Sequence, residues 1–254
     1  MSNTKQTTKI QPYERLAAYY DQLMDYIDYS IWVEDILEAV KPFSPGRDWL
    51  DISCGTGSMA ILLAQQDLQV KAVDLSPHML DIAQAKSRKQ GVSIEFEVGD
   101  MINFQDGQQY DVIINLHDGL NYLLEPTDIQ HYMENANSLL KPNGILLFDV
   151  VTPLLCQTHF RGYREIFADE MGGYERQTTY DPISQLAESS FTLNTEDEDQ
   201  VDLESHIQKA YELEEVEGFC EKSPFTWWQI LDDETFEAGN PDSERLWVMM
   251  RKSQ

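Results

Sequence analysis

Apolar residues recur along this chain in two alternating rhythms. From Tyr13 to about Tyr29, Leu16, Tyr19, Tyr20, Leu23, Met24 and Ile27 return at helical spacing. Trp32 to Val40, after Ser30 and before Lys41-Pro42, reads as a second helix. Short apolar runs then predict strands over Arg47–Ile52, Gln69–Asp74, Ser93–Val98, Tyr110–Leu116 and Gly144–Val151. Helices are expected between them. One runs from Ser58 to Gln65, and another opens with Ser76 as N-cap and Pro77 at the first helical position. A third carries Ile129, Tyr132, Met133, Ala136 and Leu140 on one face, and the turn Lys141-Pro142-Asn143-Gly144 ends it. Strands that alternate with helices at this spacing imply right-handed crossovers and an α/β fold with a mostly parallel sheet covered on both faces.

Beyond residue 152 the rhythm changes. Tyr174–Tyr180, Ala187–Leu193 and Val201–Ala210 alternate as strands, parted by Asp181-Pro182 and by the acidic run from Asn194 to Asp199. That run reads as a solvated hairpin turn. A helix over Tyr211–Cys220 and strands over Thr226–Leu231 and Arg245–Arg251 follow. The expected plan is a seven-stranded, Rossmann-like sheet from residues 13–152 and 211–254, a small antiparallel insert over 153–210 acting as a lid, and a mobile polar segment over 1–12. On one strand face of the insert Glu204, His206 and Gln208 form a candidate lid wall.

The chemistry gathers around Leu50-Asp51-Ile52-Ser53-Cys54-Gly55-Thr56-Gly57-Ser58, a strand, a tight turn and a helix start. A dinucleotide pyrophosphate calls for three glycines spaced GxGxxG, but the matching positions are Ser53, Gly55 and Ser58. S-adenosylmethionine carries an ammonium and a sulfonium and no phosphate, so the acid Asp51 favours it by roughly 1 to 4 kcal/mol for charges about 4 Å apart. Asp74 ends the second strand, 17 residues beyond Gly57, where a carboxylate accepts hydrogen bonds from ribose hydroxyls. Asp100 follows the third strand, placed to accept from an adenine amino group. Met101 would lie against the ring, and Leu75 and Met79 would cover its other side. Taken singly, an acid at a strand end is ordinarily a cap or a solvated loop residue; three at successive strand ends of one sheet are harder to explain that way.

These residues resemble the class I S-adenosylmethionine-dependent methyltransferases over roughly Tyr13 to Lys252. Leu50 to Gly57 is similar to the first motif of that family, Val73-Asp74-Leu75-Ser76 to the second and Gly99-Asp100-Met101 to the third. Asp111 to Leu116 resembles the fourth, and Leu139 to Gly144 the entry to strand five. Ser53 stands where the family usually has glycine, a departure that matters if the position needs a positive φ. Tyr20 to Met24, Asp118 to Leu123 and Asp242 to Arg245 resemble the bacterial small-molecule subgroup with an antiparallel insert after strand five. The resemblance implies that Tyr20 and Trp32 approach the methionine end of the cofactor and that Leu116 lines its pocket.

Charge narrows the partners. The 254 residues carry 45 acids against 18 bases, a net charge of −27, which opposes phosphate neutralisation on nucleic acid or anionic membrane. There is no run of roughly 18 apolar residues and no apolar leader, and Cys54, Cys156 and Cys220 have no paired spacing, so a reducing, cytoplasmic setting is expected. No metal-ligand spacing is present. The expected reaction is in-line methyl transfer to a small-molecule oxygen or nitrogen acceptor. His117 and Asp118, just past strand four, are the candidate bases, and Tyr122, His159, Tyr163 and His206 the candidate acceptor-side residues. A nicotinamide oxidoreductase, a non-catalytic cofactor-binding protein and an aminopropyl transferase are the rival readings.

Overall fold

Trp49 and Leu50 point to opposite faces of one strand, and so do Val112 and Ile113 and then Leu147 and Phe148; each pair divides between two separate apolar cores. A strand buried on both faces is apolar throughout, and in this computed structural model three such strands are the centre of a sheet with helices on both sides. The structure describes residues 6–169, 172–195, 197 and 199–254.

In chain order the elements are β1 (Gln6–Lys9), α1 (Ala17–Leu23), α2 (Tyr29–Val40), β2 (Asp48–Ile52), α3 (Ser58–Ala64), β3 (Gln69–Asp74), α4 (Pro77–Gln90), β4 (Glu95–Val98), β5 (Tyr110–Asn115), α5 (Pro126–Leu139) and β6 (Leu140–Val151). There follow a helical turn α6 (Pro153–Leu155), β7 (Arg164–Asp169), β8 (Gly172–Asp181), β9 (Leu186–Asn194), β10 (Gln200–Lys209), α7 (Leu213–Lys222), β11 (Trp227–Asp232) and β12 (Arg245–Arg251). The larger sheet has the order β11-β12-β6-β5-β2-β3-β4. Strands β2 to β6 run parallel; β12 and β11 close one edge antiparallel. Strand order reverses between β2 and β5, and in sheets of this kind ligands lie outside the carboxyl ends of the strands at that point.

The second sheet has the order β1-β10-β9-β8-β7 and is antiparallel except where β1 joins β10. Two of its five strands were not expected. The segment taken as mobile supplies β1, which pairs Gln6 with Gln200 and Lys9 with Leu203; its Gln-Thr-Thr-Lys sequence has no apolar face to announce it. β7 is similarly short and mixed.

The expected single helix over Tyr13–Tyr29 is broken. Tyr13 has φ +61°, α1 begins at Ala17, and α2 begins at Tyr29, before Trp32, because the Asp28 carboxylate accepts from the Ser30 N–H at 3.0 Å and caps it. Lys141 to Gly144 does not end a helix in a free turn but lies within β6, with Asn143 at φ +64° absorbing the irregularity. β9 and β10 pair from Asn194 against Val201, on either side of the acidic run. Of that run, Glu196 and Glu198 lie outside the described residues.

Candidate active site

At the reversal point the chain must leave β2, turn sharply and start α3. It does so through Ser53, Gly55 and Gly57, at φ +73°, +54° and +75°. The N–H groups of Ser53 and Cys54 both donate to the Val73 carbonyl, at 2.7 and 2.9 Å, which latches the turn to β3. A Cβ on Gly57 would stand 3.0 Å from that of Ala83, so this glycine lets α4 pack close; it does not face the cavity.

Above the turn opens a cavity of about 760 Å³. Among its described lining residues are Asp51, Ser53, Cys54, Gly55, Asp74, Leu75, Met79, Asp100, Met101 and Leu116, all singled out in the sequence, together with Tyr20, His117 and Tyr122. Asp74 is half-buried; its carboxylate accepts from the N–H of Gly55 and of Ser76, each at 2.8 Å, while burial pushes its pKa up. Asp51 is 3% exposed and its Oδ2 has no hydrogen-bond partner. Burial and the neighbouring Asp74 together raise its pKa to about 7. Asp100 accepts from the Ile102 N–H at 3.0 Å. Ser53 Oγ donates to Asn115 Oδ1 at 2.6 Å, and Asn115 also reaches the Met101 sulfur at 3.4 Å, so the first, third and fourth strand ends share one bonded group.

The end of the cavity beyond Asp51 is aromatic. Tyr13, Tyr20, Tyr29 and Tyr122 line it, and burial raises the pKa of all four phenols. His117, at φ +60°, stacks on Trp32 with ring centres 4.2 Å apart and meets the edge of Tyr29 at 4.8 Å. Burial first, and Arg245 second, depress its pKa to about 4, so it is neutral at pH 7 with an unpartnered Nε2. Trp32 therefore stands behind His117 rather than on the cavity wall.

Asp118 also stays off the wall. Its carboxylate pairs with Arg245, which also pairs with Asp149 and lies 5.7 Å over the Trp32 ring. His159 bonds Glu244 at 3.1 Å on the surface, and Tyr163 is 46% exposed and bonds Glu165; neither lines the cavity. His206 is buried behind the wall, its Nδ1 3.1 Å from the Tyr122 hydroxyl, which in turn lies 2.5 Å from that of Tyr13.

Two residues gave little sign of their position. Tyr13 read as a helix start, yet it belongs to the wall because the buried Glu204 carboxylate accepts from the N–H groups of Tyr13, Arg15 and Leu16 at 2.8, 2.6 and 2.8 Å. Tyr29 read as a helix end but begins one. The one available signal was Glu204 itself, a carboxylate on an otherwise alternating strand.

Residues 50–144 match the methyltransferase domain family. A protein of Geobacillus sp. (strain WCH70), named as a methyltransferase, is 31% identical over 245 residues, covering 94% of this chain and 99% of its own. The chain belongs to the class I S-adenosylmethionine-dependent methyltransferases. Bacillus subtilis (strain 168) has a further methyltransferase relative, YqeM, 33% identical over 95% of this chain and 98% of its own length. The crystal structure of an S-adenosylmethionine-dependent methyltransferase from Clostridium acetobutylicum ATCC 824 superposes with a TM-score of 0.79 at 24% identity, covering 95% and 99% of the two chains. The fold is thus shared with that enzyme over nearly the whole of both chains. Among the described residues no helix is long and apolar enough to cross a membrane.

Proposed function

We propose that this methyltransferase holds S-adenosylmethionine across the carboxyl ends of β2, β3 and β4 and passes its methyl group to a small-molecule acceptor at the aromatic end of the cavity. The observation that carries the reading is the buried, unpartnered Oδ2 of Asp51 beside Asp74. Two acids turned into one apolar chamber repel, and a cationic ligand removes the repulsion where a diphosphate would add to it. In this reading Asp74 accepts from the ribose hydroxyls while the turn N–H of Gly55 keeps it aimed. Asp100 accepts from the adenine amino group between Met101 and Leu75, and Asp51 and Tyr20 face the methionine end.

When bound, the cofactor supplies an already activated methyl group. The protein has then to exclude water, align the acceptor and give its proton somewhere to go. His117, neutral on the wall, is placed to hydrogen-bond and orient the acceptor; Asp118 is committed to Arg245 and serves to fix the loop that carries His117. A cytoplasmic location suits the three free thiols, and the acidic surface disfavours nucleic acid.

A thermal-unfolding titration tests this. S-adenosylmethionine or S-adenosylhomocysteine at about 100 times its dissociation constant should stabilise the protein by about 2.7 kcal/mol, and NAD at the same concentration should not. In Asp74→Ala most of that shift should vanish while the unliganded protein stays folded. A shift from NAD alone overturns the reading.

A further inference from the structure

Five carboxyl groups line the cavity, those of Glu14, Asp51, Asp74, Asp100 and Asp128, and its described lining holds no lysine or arginine. The cations of the surrounding shell are already taken. Lys86, which bonds the lining Thr56 and Ser58, is paired with Asp21, and Arg245 behind His117 is paired with Asp118 and Asp149. The proposed cofactor brings one net positive charge, and Asp51, 3% exposed, is among the residues lining the same chamber. With that cofactor in place the chamber still has a surplus of acid. An acceptor that brought a carboxylate or phosphate to the methyl group would meet no counter-charge.

Nucleophilicity points the same way. An alcohol has to surrender its proton to a base while it attacks, whereas an amine attacks through its own lone pair once it is neutral. The histidine on the wall is a weak base, and the four phenols that line the same end of the cavity are held in the protonated form. A path for a proton does lead away from the wall. From the Tyr13 hydroxyl to that of Tyr122 is 2.5 Å, from there to His206 Nδ1 3.1 Å, and His206 Nε2 lies 3.5 Å from the buried Glu204 carboxylate. This chain runs from the wall into the second sheet.

We propose that the methyl acceptor is an amine, received as its ammonium ion between the aromatic wall and the acids of the chamber. The inference rests on the methyltransferase reading of the cavity given above. The ammonium gives up one proton to the Tyr122 oxygen as the Tyr122 proton moves to His206. The freed lone pair forms the nitrogen–methyl bond while the sulfur–methyl bond breaks, and its electron pair stays on sulfur.

Three probes of one shape and different charge test it: cyclohexylamine, cyclohexanol and cyclohexanecarboxylate, titrated by calorimetry at pH 7.5 into protein saturated with S-adenosylhomocysteine. The amine should bind at least tenfold more tightly than the alcohol, and the carboxylate more weakly than both. Equal affinities, undetectable binding of all three included, or a preference for the alcohol or the carboxylate overturn the proposal while the preceding binding of S-adenosylhomocysteine leaves the cofactor reading standing. A protein that fails to bind S-adenosylhomocysteine at all overturns both.

Discussion

Ser53 occupies a left-handed position, φ +73°, where glycine would be free of strain. Three terms of similar size decide what a glycine there would do. Relief of backbone strain favours it by about 1 kcal/mol; the added freedom of the unfolded chain costs about 0.4–1 kcal/mol, and loss of the 2.6 Å bond to Asn115 costs about 1 kcal/mol. Ser53→Gly should therefore lie between neutral and about 1 kcal/mol destabilising in urea unfolding. Ser53→Val, β-branched and without the hydroxyl, should lose more than that. Asp51 gives a second test at this scale. Its folded pKa of about 7 lies above that of the unfolded chain. Between about pH 4 and 7 the folded protein therefore keeps a proton that the unfolded chain has released, and stability falls with rising pH by up to about 1.4 kcal/mol per unit. Urea midpoints at pH 4.5 and 6.5 should show the wild type losing ground against Asp51→Asn, and a level difference would refute the raised value. A cationic cofactor prefers the ionised carboxylate, so its affinity should rise over the same interval.

Among the elements, the parallel strands and their helices were legible because a strand buried on both faces leaves a continuous apolar run that polar turns interrupt. Asp51, Asp74 and Asp100 followed from those strand ends. β1 was not legible, since its four residues are polar and exposed and gain their place from β10 alone. Nor was the break at Tyr13, which is imposed by a carboxylate 191 residues away. His159 and Tyr163 drew attention as residue types on the insert, but His159 sits in a helical turn over Cys156–Phe160 and Tyr163 just before β7, local structure that the pattern did not reveal. Glu204→Ala should orphan three N–H groups, the buried one of Leu16 at about 1 to 3 kcal/mol and the part-buried ones of Tyr13 and Arg15 at less, since water reaches them. Hydrogen exchange should then speed up over Gln6–Lys9 and Ala17–Leu23 while the β11–β12 hairpin keeps its protection; uniform loosening of both would argue against a local clasp.

For the molecule as a whole, a net charge of −27 sets the terms. With 45 acids against 18 bases, most carboxylates have no cation to meet, and mutual repulsion outweighs the surface ion pairs that salt also weakens. Raising sodium chloride from 20 to 300 mM shortens the screening length below 10 Å. The Tm should rise, by about 2–4 °C for each kcal/mol of repulsion removed; a fall would mean that the ion pairs dominate.

The clasp between Glu204 and the segment around Tyr13 also sets an order of assembly. Tyr13 leaves the ribosome well before its partner, which follows 191 residues later, about 10 to 40 s at bacterial rates of synthesis. Until then the chain has the floor of its binding chamber but not the front wall. A nascent chain halted before β10 should present that floor open to solvent.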